Sequence, residues 1–171
     1  MEEILLRQAI TSDAKDIAKV QVLTWQNTYL GLIPDSYLQS LEIDQSTKNW
    51  TKRIESPVQD TQTIVATIDG VIVGYIGVGP CRDSDASERG ELYTIYVEPS
   101  RQGLGVGSEL IREGNRFLKS KSFQKATLWV FDKNAKAIKY YESHGWKPTG
   151  KSNLDKLADF ELVEIQYEIN F

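Results

Sequence analysis

The chain of 171 residues contains one cysteine and one histidine. Cys81 has no partner for an internal disulfide, and a lone thiol suits a reducing compartment. With no His–Cys or His–carboxylate cluster, a metal site is not indicated. Basic residues are in short supply too: 20 Lys and Arg stand against 24 Asp and Glu, a net charge of −4. No cationic surplus is on hand to neutralise phosphates, which disfavours a nucleic-acid partner. No apolar run approaches the roughly 20 residues a membrane helix needs. The start, Met-Glu-Glu, lacks the basic residues and apolar stretch of a secretory signal. These absences describe a soluble, cytoplasmic protein without membrane or nucleic-acid partners.

What is present is ordinary in amount, with 40% hydrophobic and 26% charged residues, and the length fits one domain over residues 1–171. The run Ile4 to Arg7 reads as a strand, followed by a turn signal at Thr11-Ser12-Asp13 that can cap a helix. Ala14, Ala18, Val22, Trp25 and Tyr29 recur at helical spacing, until Gly31 and Pro34 interrupt them. Short helices are expected over Pro34 to Leu41 and Asp44 to Ile54. Thr63 to Ile68, the turn pair Asp69-Gly70 and Val71 to Val78 form a hairpin. Arg82 to Gly90 is a polar loop. Glu91 to Val97 is a strand with Glu91, Tyr93, Ile95 and Val97 on one side. Leu104 to Lys119 reads as a helix, Ala126 to Phe131 as a strand and Asn134 to Ser143 as a helix closed by Gly145. The tail holds one or two strands. In its last part, Val163, Ile165, Tyr167 and Ile169 alternate with polar residues, the pattern of a half-solvated strand. The layout is mixed α/β around a central sheet.

The most informative stretch is Arg101-Gln102-Gly103-Leu104-Gly105-Val106-Gly107-Ser108, between a strand and a helix. Glycines at alternate positions let the backbone approach a ligand closely. The helix start presents unpaired N–H groups and the positive end of its dipole, together an anion site suited to a pyrophosphate. The Gly-Lys-Ser/Thr ending of a P-loop is missing, and G-x-G-x-G late in the chain does not match the dinucleotide fingerprint.

The spacing Gln102-x-x-Gly105-x-Gly107 resembles the acetyl-coenzyme A motif of the GNAT family of N-acetyltransferases. Asn134-Ala-Lys-Ala-Ile-Lys-Tyr140-Tyr141-Glu-Ser-His-Gly145-Trp146 resembles the same family's second signature. Trp25-x-x-x-Tyr29-x-Gly31-x-Ile33-Pro34 is similar to the opening of many small bacterial members. The resemblance covers essentially the whole chain. It implies a twisted mixed sheet, splayed in the middle, with helices on both faces and the coenzyme wedged in the gap. It also implies an acetyl-coenzyme A-dependent transfer to a primary amine of a small molecule or peptide, by direct attack in a ternary complex. A protein of this fold that holds acyl-coenzyme A without turnover is the alternative. Homodimers are frequent in the family.

By the resemblance, the segment Gln102, Gly103, Leu104, Gly105, Val106, Gly107 and Ser108 holds the pyrophosphate. The strand Ile95-Tyr96-Val97 offers main-chain groups to the pantetheine arm and acetyl carbonyl. Asn134 and Tyr141, seven residues apart on one helical face, can address the same ligand. The resemblance makes Tyr141 the acid that protonates the coenzyme sulfur; as an amphipathic aromatic it could instead simply pack. An alkyl amine has a pKa near 10, so freeing its lone pair at neutral pH costs roughly 4 kcal/mol, and a base lowers that barrier. Glu91, at the start of its strand, is the candidate base, directly or through water; a solvent-facing charge is the other reading. Trp25, Tyr29 and Tyr93 are candidates for the wall of the amine pocket. Tyr140 lies on a different helical face and reads as structural. His144, at a helix end where positive charge is favourable, also reads as structural.

Overall fold

The computed structural model describes residues 3–83 and 88–171. Part of the expected loop, residues 84–87, and the first two residues of the Met-Glu-Glu start lie outside the described residues. The elements run β1 (Leu5–Gln8), α1 (Ala14–Thr28), α2 (Asp35–Gln39), α3 (Ile43–Glu55), β2 (Gln62–Ile68) and β3 (Val71–Pro80), then β4 (Arg89–Val97) and α4 (Val106–Ser120). They close with β5 (Lys125–Phe131), α5 (Ala135–Ser143), β6 (Lys147–Leu157) and β7 (Phe160–Asn170). The seven strands form one sheet in the order β1-β2-β3-β4-β5-β7-β6, antiparallel except where β4 meets β5. The expected mixed α/β class and helices on both faces are what the chain adopts.

Strand alternation divides the core between the two faces. Ile64, Ala66 and Ile76 pack with Leu110, Ile111 and Leu118 of α4 on one face. Val65, Ile72 and Tyr75 pack with Ile17, Ala18 and Trp50 of α1 and α3 on the other. A third cluster, Ile33, Leu38 and Phe131 with Trp25, Tyr29, Leu157 and Leu162, closes one end of the sheet. In the turn before α1, Asp13 does not cap forward. Its carboxylate accepts from the Arg7 guanidinium at 2.6 and 2.8 Å and from the Ile10 N–H at 2.8 Å.

Two irregularities shape the centre of the sheet. First, Val78 faces Leu92 while Gly77 faces Thr94, so Tyr93 is an extra residue in β4, a β-bulge. The bulge breaks the expected alternation. Leu92, not Tyr93 or Glu91, shares the α4 face with Ile95 and Val97, whereas Tyr96 packs on the α1 side. Second, β4 pairs with β5 only over Arg89–Glu91 and Lys125–Thr127, after which the two strands part. β5 meanwhile stays paired with β7 as far as Phe131. The sheet is splayed between β4 and β5.

The expectation for the tail needs revision. The residues of β6 carry no apolar alternation because this is an edge strand, exposed along nearly its whole length. β7 lies inside the sheet, between β5 and β6, so its polar side is not simply solvated. Gln166 is buried, with its amide donating to Asp83 at 2.8 Å and its carbonyl accepting from Thr149 at 3.1 Å. Val163, expected on the packed side, is exposed.

Candidate active site

The gap between β4 and β5 opens into a cleft of about 510 Å³. Its centre is main chain. The Glu98 N–H donates to the Val73 carbonyl at 2.8 Å, which makes Val73 and Glu98 a hydrogen-bonded pair. Alternation along an antiparallel ladder then leaves Val97 and Ile95, opposite Gly74 and Ile76, with their N–H and C=O groups turned away from β3 and into the gap. The Val97 carbonyl is already engaged, accepting from the Gln102 side-chain amide at 3.0 Å and from the Thr24 hydroxyl at 3.3 Å. Ile95, Tyr96 and Val97 all line the cleft.

One end of the cleft is the glycine turn. Gly103 and Gly105 have φ of 83° and 89°, a left-handed conformation that other residues adopt only under strain. That geometry starts α4 at Val106 rather than Leu104, with Gly105 as its cap. A cap without a side chain leaves the first N–H groups of the helix to other acceptors. A Cβ on Gly103 or Gly105 would meet nothing within 4 Å, so the backbone here lies open. Gly103, Gly105, Gly107 and Ser108 face the cleft, whereas the Val106 side chain is buried in the core and Leu104 is exposed. Lys136, in the first turn of α5, donates to the Gln102 side-chain amide oxygen at 2.5 Å and adds a cation to this end.

Asn134 caps α5, its side-chain oxygen accepting from the Ala137 N–H at 3.1 Å. It lines the cleft beside Tyr141, so the structure brings the two together as the sequence suggests. Burial lifts the Tyr141 phenol well above its ordinary range, with Tyr29 and Tyr140 adding to the effect. The hydroxyl therefore keeps its proton at neutral pH. Burial also raises the Tyr29 phenol, with hydrogen bonding to Asn134 and Tyr96 in partial opposition.

Tyr140 is closer to the site than its helical position suggests. It lines the cleft, its buried hydroxyl has no hydrogen-bond partner among the described residues, and a Cβ on Gly107 would sit 2.7 Å from that oxygen. His144 bridges the two helices that flank the turn. One ring nitrogen lies 2.8 Å from the Tyr140 carbonyl, which can only accept, so that nitrogen carries hydrogen. The other lies 3.0 Å from the Ser108 hydroxyl. The structural reading of His144 gains a specific content: it steadies the first turn of α4.

On the α1 side of the cleft, Trp25 and Tyr29 stand with ring centroids 4.9 Å apart, and Tyr29 lies 6.3 Å from Phe131. Both line the cleft, as does Tyr93. Tyr93 is held by a 2.5 Å hydrogen bond from its hydroxyl to the Pro80 carbonyl and by the Arg82 guanidinium 4.7 Å from its ring centre.

Glu91 is not brought into the cleft. Its side chain is 1% exposed and accepts from the Arg82 main-chain N–H at 2.8 Å and from the Arg82 guanidinium at 2.5 to 3.2 Å. The carboxylate that does line the cleft is Glu164 on β7. Sequence reasoning passed over it because it occupies the polar side of an alternating strand. The one available signal was Leu162, an apolar residue on that same side. Among the described residues, no group of three or more His, Cys, Asp and Glu could hold a metal, and no helix is long and apolar enough to cross a membrane.

A glycine-capped helix start thus stands beside a splayed parallel strand pair, with a buried tyrosine lining the gap. Comparison with known proteins shows the family in which this arrangement belongs. The acetyltransferase (GNAT) family model matches residues 22–146. The N-acetyltransferase YuaI of Bacillus subtilis strain 168 is 32% identical over 95% of this chain and 90% of its own length. A spermidine N(1)-acetyltransferase of Thermoplasma acidophilum is 23% identical over 96% of this chain and 98% of its own. The crystal structure of the PaiA N-acetyltransferase of Thermoplasma acidophilum, in complex with coenzyme A, superimposes with a TM-score of 0.74 at 18% identity, covering 99% of each chain. The chain belongs to the GNAT family of acetyltransferases.

Proposed function

We propose that this N-acetyltransferase takes its acetyl group from acetyl-coenzyme A and passes it to a primary amine by direct attack in the cleft. The observation that carries the reading is the continuity of the gap. Main chain of Ile95 and Val97 that no neighbouring strand pairs leads from the open N–H groups of α4 toward Tyr141. The residues present fit the coenzyme: the glycine turn and Lys136 suit a diphosphate, and the free edge of β4 suits the amides of a pantetheine arm. The solved PaiA structure, which contains coenzyme A, supports the same donor.

In this scheme β4 orients the thioester, its free N–H groups polarising the acetyl carbonyl as charge develops on oxygen. The ammonium first gives one proton to water; its lone pair then forms the C–N bond, the C–S bond breaks with its electrons on sulfur, and the nitrogen loses a second proton. Tyr141 donates its hydroxyl hydrogen toward the sulfur and stabilises the departing thiolate. Glu91, tied to Arg82, takes no proton directly; the nitrogen proton leaves through water. A thermal-shift titration tests the donor site. At a hundredfold excess over Kd, acetyl-coenzyme A should stabilise the fold by about 2.7 kcal/mol. At roughly 2–4 °C per kcal/mol for a chain of this size, the melting temperature should rise by about 5–10 °C, while NADH and ATP leave it unchanged. No shift with either acetyl-coenzyme A or coenzyme A would overturn the reading.

A further inference from the structure

The two ends of the cleft carry opposite charge. Among its described lining residues only Lys136 and Glu164 are charged. Lys136 stands at the glycine turn, bound to Gln102. Glu164 stands across the sheet. It is paired in register with Phe131, on the side of β7 opposite Tyr167, which packs with the α4 face. Its neighbours in the cleft are Leu157, Leu162 and the aromatic rings of α1.

The Glu164 carboxylate has no hydrogen-bond or ion-pair partner among the described residues, although the residue is half-buried. Burial, and then Asp155, raise its carboxyl above the usual range, while Arg82 opposes and Glu91 adds to the rise. A carboxylate in that position is costly to ionise until a cation arrives beside it. Two rings stand beside it: Phe131, its register partner, and Tyr29, whose phenol feels its charge. Trp25 stands 4.9 Å from Tyr29, and such rings suit an apolar body and the face of a cation. No described cation lines this end to meet a substrate carboxylate. Arg82, behind the Tyr93 ring, is held by both oxygens of Glu91.

We propose that Glu164 receives the ammonium of the acceptor, and that the acceptor is a primary amine with an apolar or aromatic body and no carboxylate on the carbon bearing its nitrogen. This deepens, and rests on, the acetyl-transfer reading above. An α-amino acid entering the same place would set its carboxylate near Glu164, like charge against like, and the described cation that acts on Glu164, Arg82, is already paired with Glu91. The α-amino acid is rejected by repulsion and the amine admitted by attraction. Glu164 acts in binding, so its loss falls on KM before kcat.

Matched pairs that differ only by the carboxylate test this: 2-phenylethylamine against L-phenylalanine, and pentylamine against L-norleucine. Turnover is read as thiol release from acetyl-coenzyme A, on wild type and Glu164→Gln. The expected result is a kcat/KM at least a hundredfold higher for each amine than for its amino acid. Glu164→Gln should raise the amine KM at least tenfold, keep kcat within about threefold and narrow the amine-to-acid ratio. Amino acids used as well as the amines would overturn the proposal. So would an unchanged KM and ratio in Glu164→Gln, or no turnover of either series. A thermal-shift titration with acetyl-coenzyme A runs in parallel. If wild type shows no shift there, the acetyl-transfer reading itself fails; a normal shift with the wrong amine preference sinks only the Glu164 assignment. The wild-type ratios decide the matter even where the variant fails to fold.

Discussion

Replacing Glu91 by glutamine separates two roles for a carboxylate that the sequence places near the chemistry. In the structure both carboxylate oxygens are committed to Arg82, through the main-chain N–H at 2.8 Å and the guanidinium at 2.5 to 3.2 Å. Hydrogen bonds to charged groups contribute about 1.5–3 kcal/mol each, against about 0.5–1.5 for neutral ones. Glutamine keeps one oxygen, loses the charge and turns an NH2 group toward a neighbour that also only donates. Arg82, whose side chain is 67% exposed, can turn to water, so no buried charge is stranded. The net loss is then about 2 kcal/mol, less than the 3–5 that a fully buried pair would lose. In a chain of this size that lowers the melting temperature by roughly 4–8 °C.

The assay is urea unfolding of Glu91→Gln and wild type, with turnover measured across pH on the same preparations. The expected outcome is the stability loss with kcat within about fivefold and the pH profile unmoved. The refuting outcome is the reverse: unchanged stability, kcat down a hundredfold or more and a lost acidic limb. That would mean the carboxylate leaves Arg82 when substrate is bound and takes the proton itself.

Two further outcomes follow from the geometry of the cleft. Tyr141→Phe should lower kcat at least tenfold while leaving the coenzyme-induced rise in melting temperature nearly intact; unchanged turnover with chemistry shown to be rate-limiting would remove Tyr141 from the mechanism. Gly107→Ala adds a Cβ 2.7 Å from the Tyr140 hydroxyl, which must swing aside, yet alanine favours the helix by up to about 1 kcal/mol. Its melting temperature should therefore stay close to that of wild type, while coenzyme affinity measured by calorimetry drops at least tenfold. Undiminished affinity would show that neither the first turn of α4 nor Tyr140 touches the ligand.

Local chemistry made one end of this site readable. Gly103, Gly105 and Gly107 follow a strand and open a helix, and both the turn and its open N–H groups are consequences of residues adjacent in sequence. Asn134 and Tyr141 were readable for the same reason, since seven helical residues fix their relation. Glu91 and Glu164 were not. Whether a carboxylate faces a cleft or a guanidinium depends on the bulge at Tyr93 and on the side of β4 to which Arg82 returns. β7 misleads in the opposite direction. Its alternation reads as one packed and one wet face, yet the wet face is occupied by Gln166, locked between Asp83 and Thr149, and by Glu164 in the cleft. Periodicity reports which residues share a face. It does not report what the rest of the chain sets against that face.

The splay itself is best understood as an incomplete ladder. Past Glu91, β4 loses its neighbour, and the main-chain groups of Ile95 and Val97 face a gap where β5 would otherwise have answered them. A main-chain group left without a strand partner forgoes the roughly 0.5–1.5 kcal/mol net contribution of a hydrogen bond, so a sheet opened this way is less stable than a closed one. The chain recovers part of that loss at the Val97 carbonyl, where Gln102 and Thr24 both donate. It recovers none at the Ile95 N–H, the Ile95 carbonyl or the Val97 N–H through any other strand. A ligand that is itself an extended chain of amides can occupy the missing place and pair with them. Binding then completes the secondary structure, and the energy withheld from the unliganded sheet becomes affinity for the molecule that closes it.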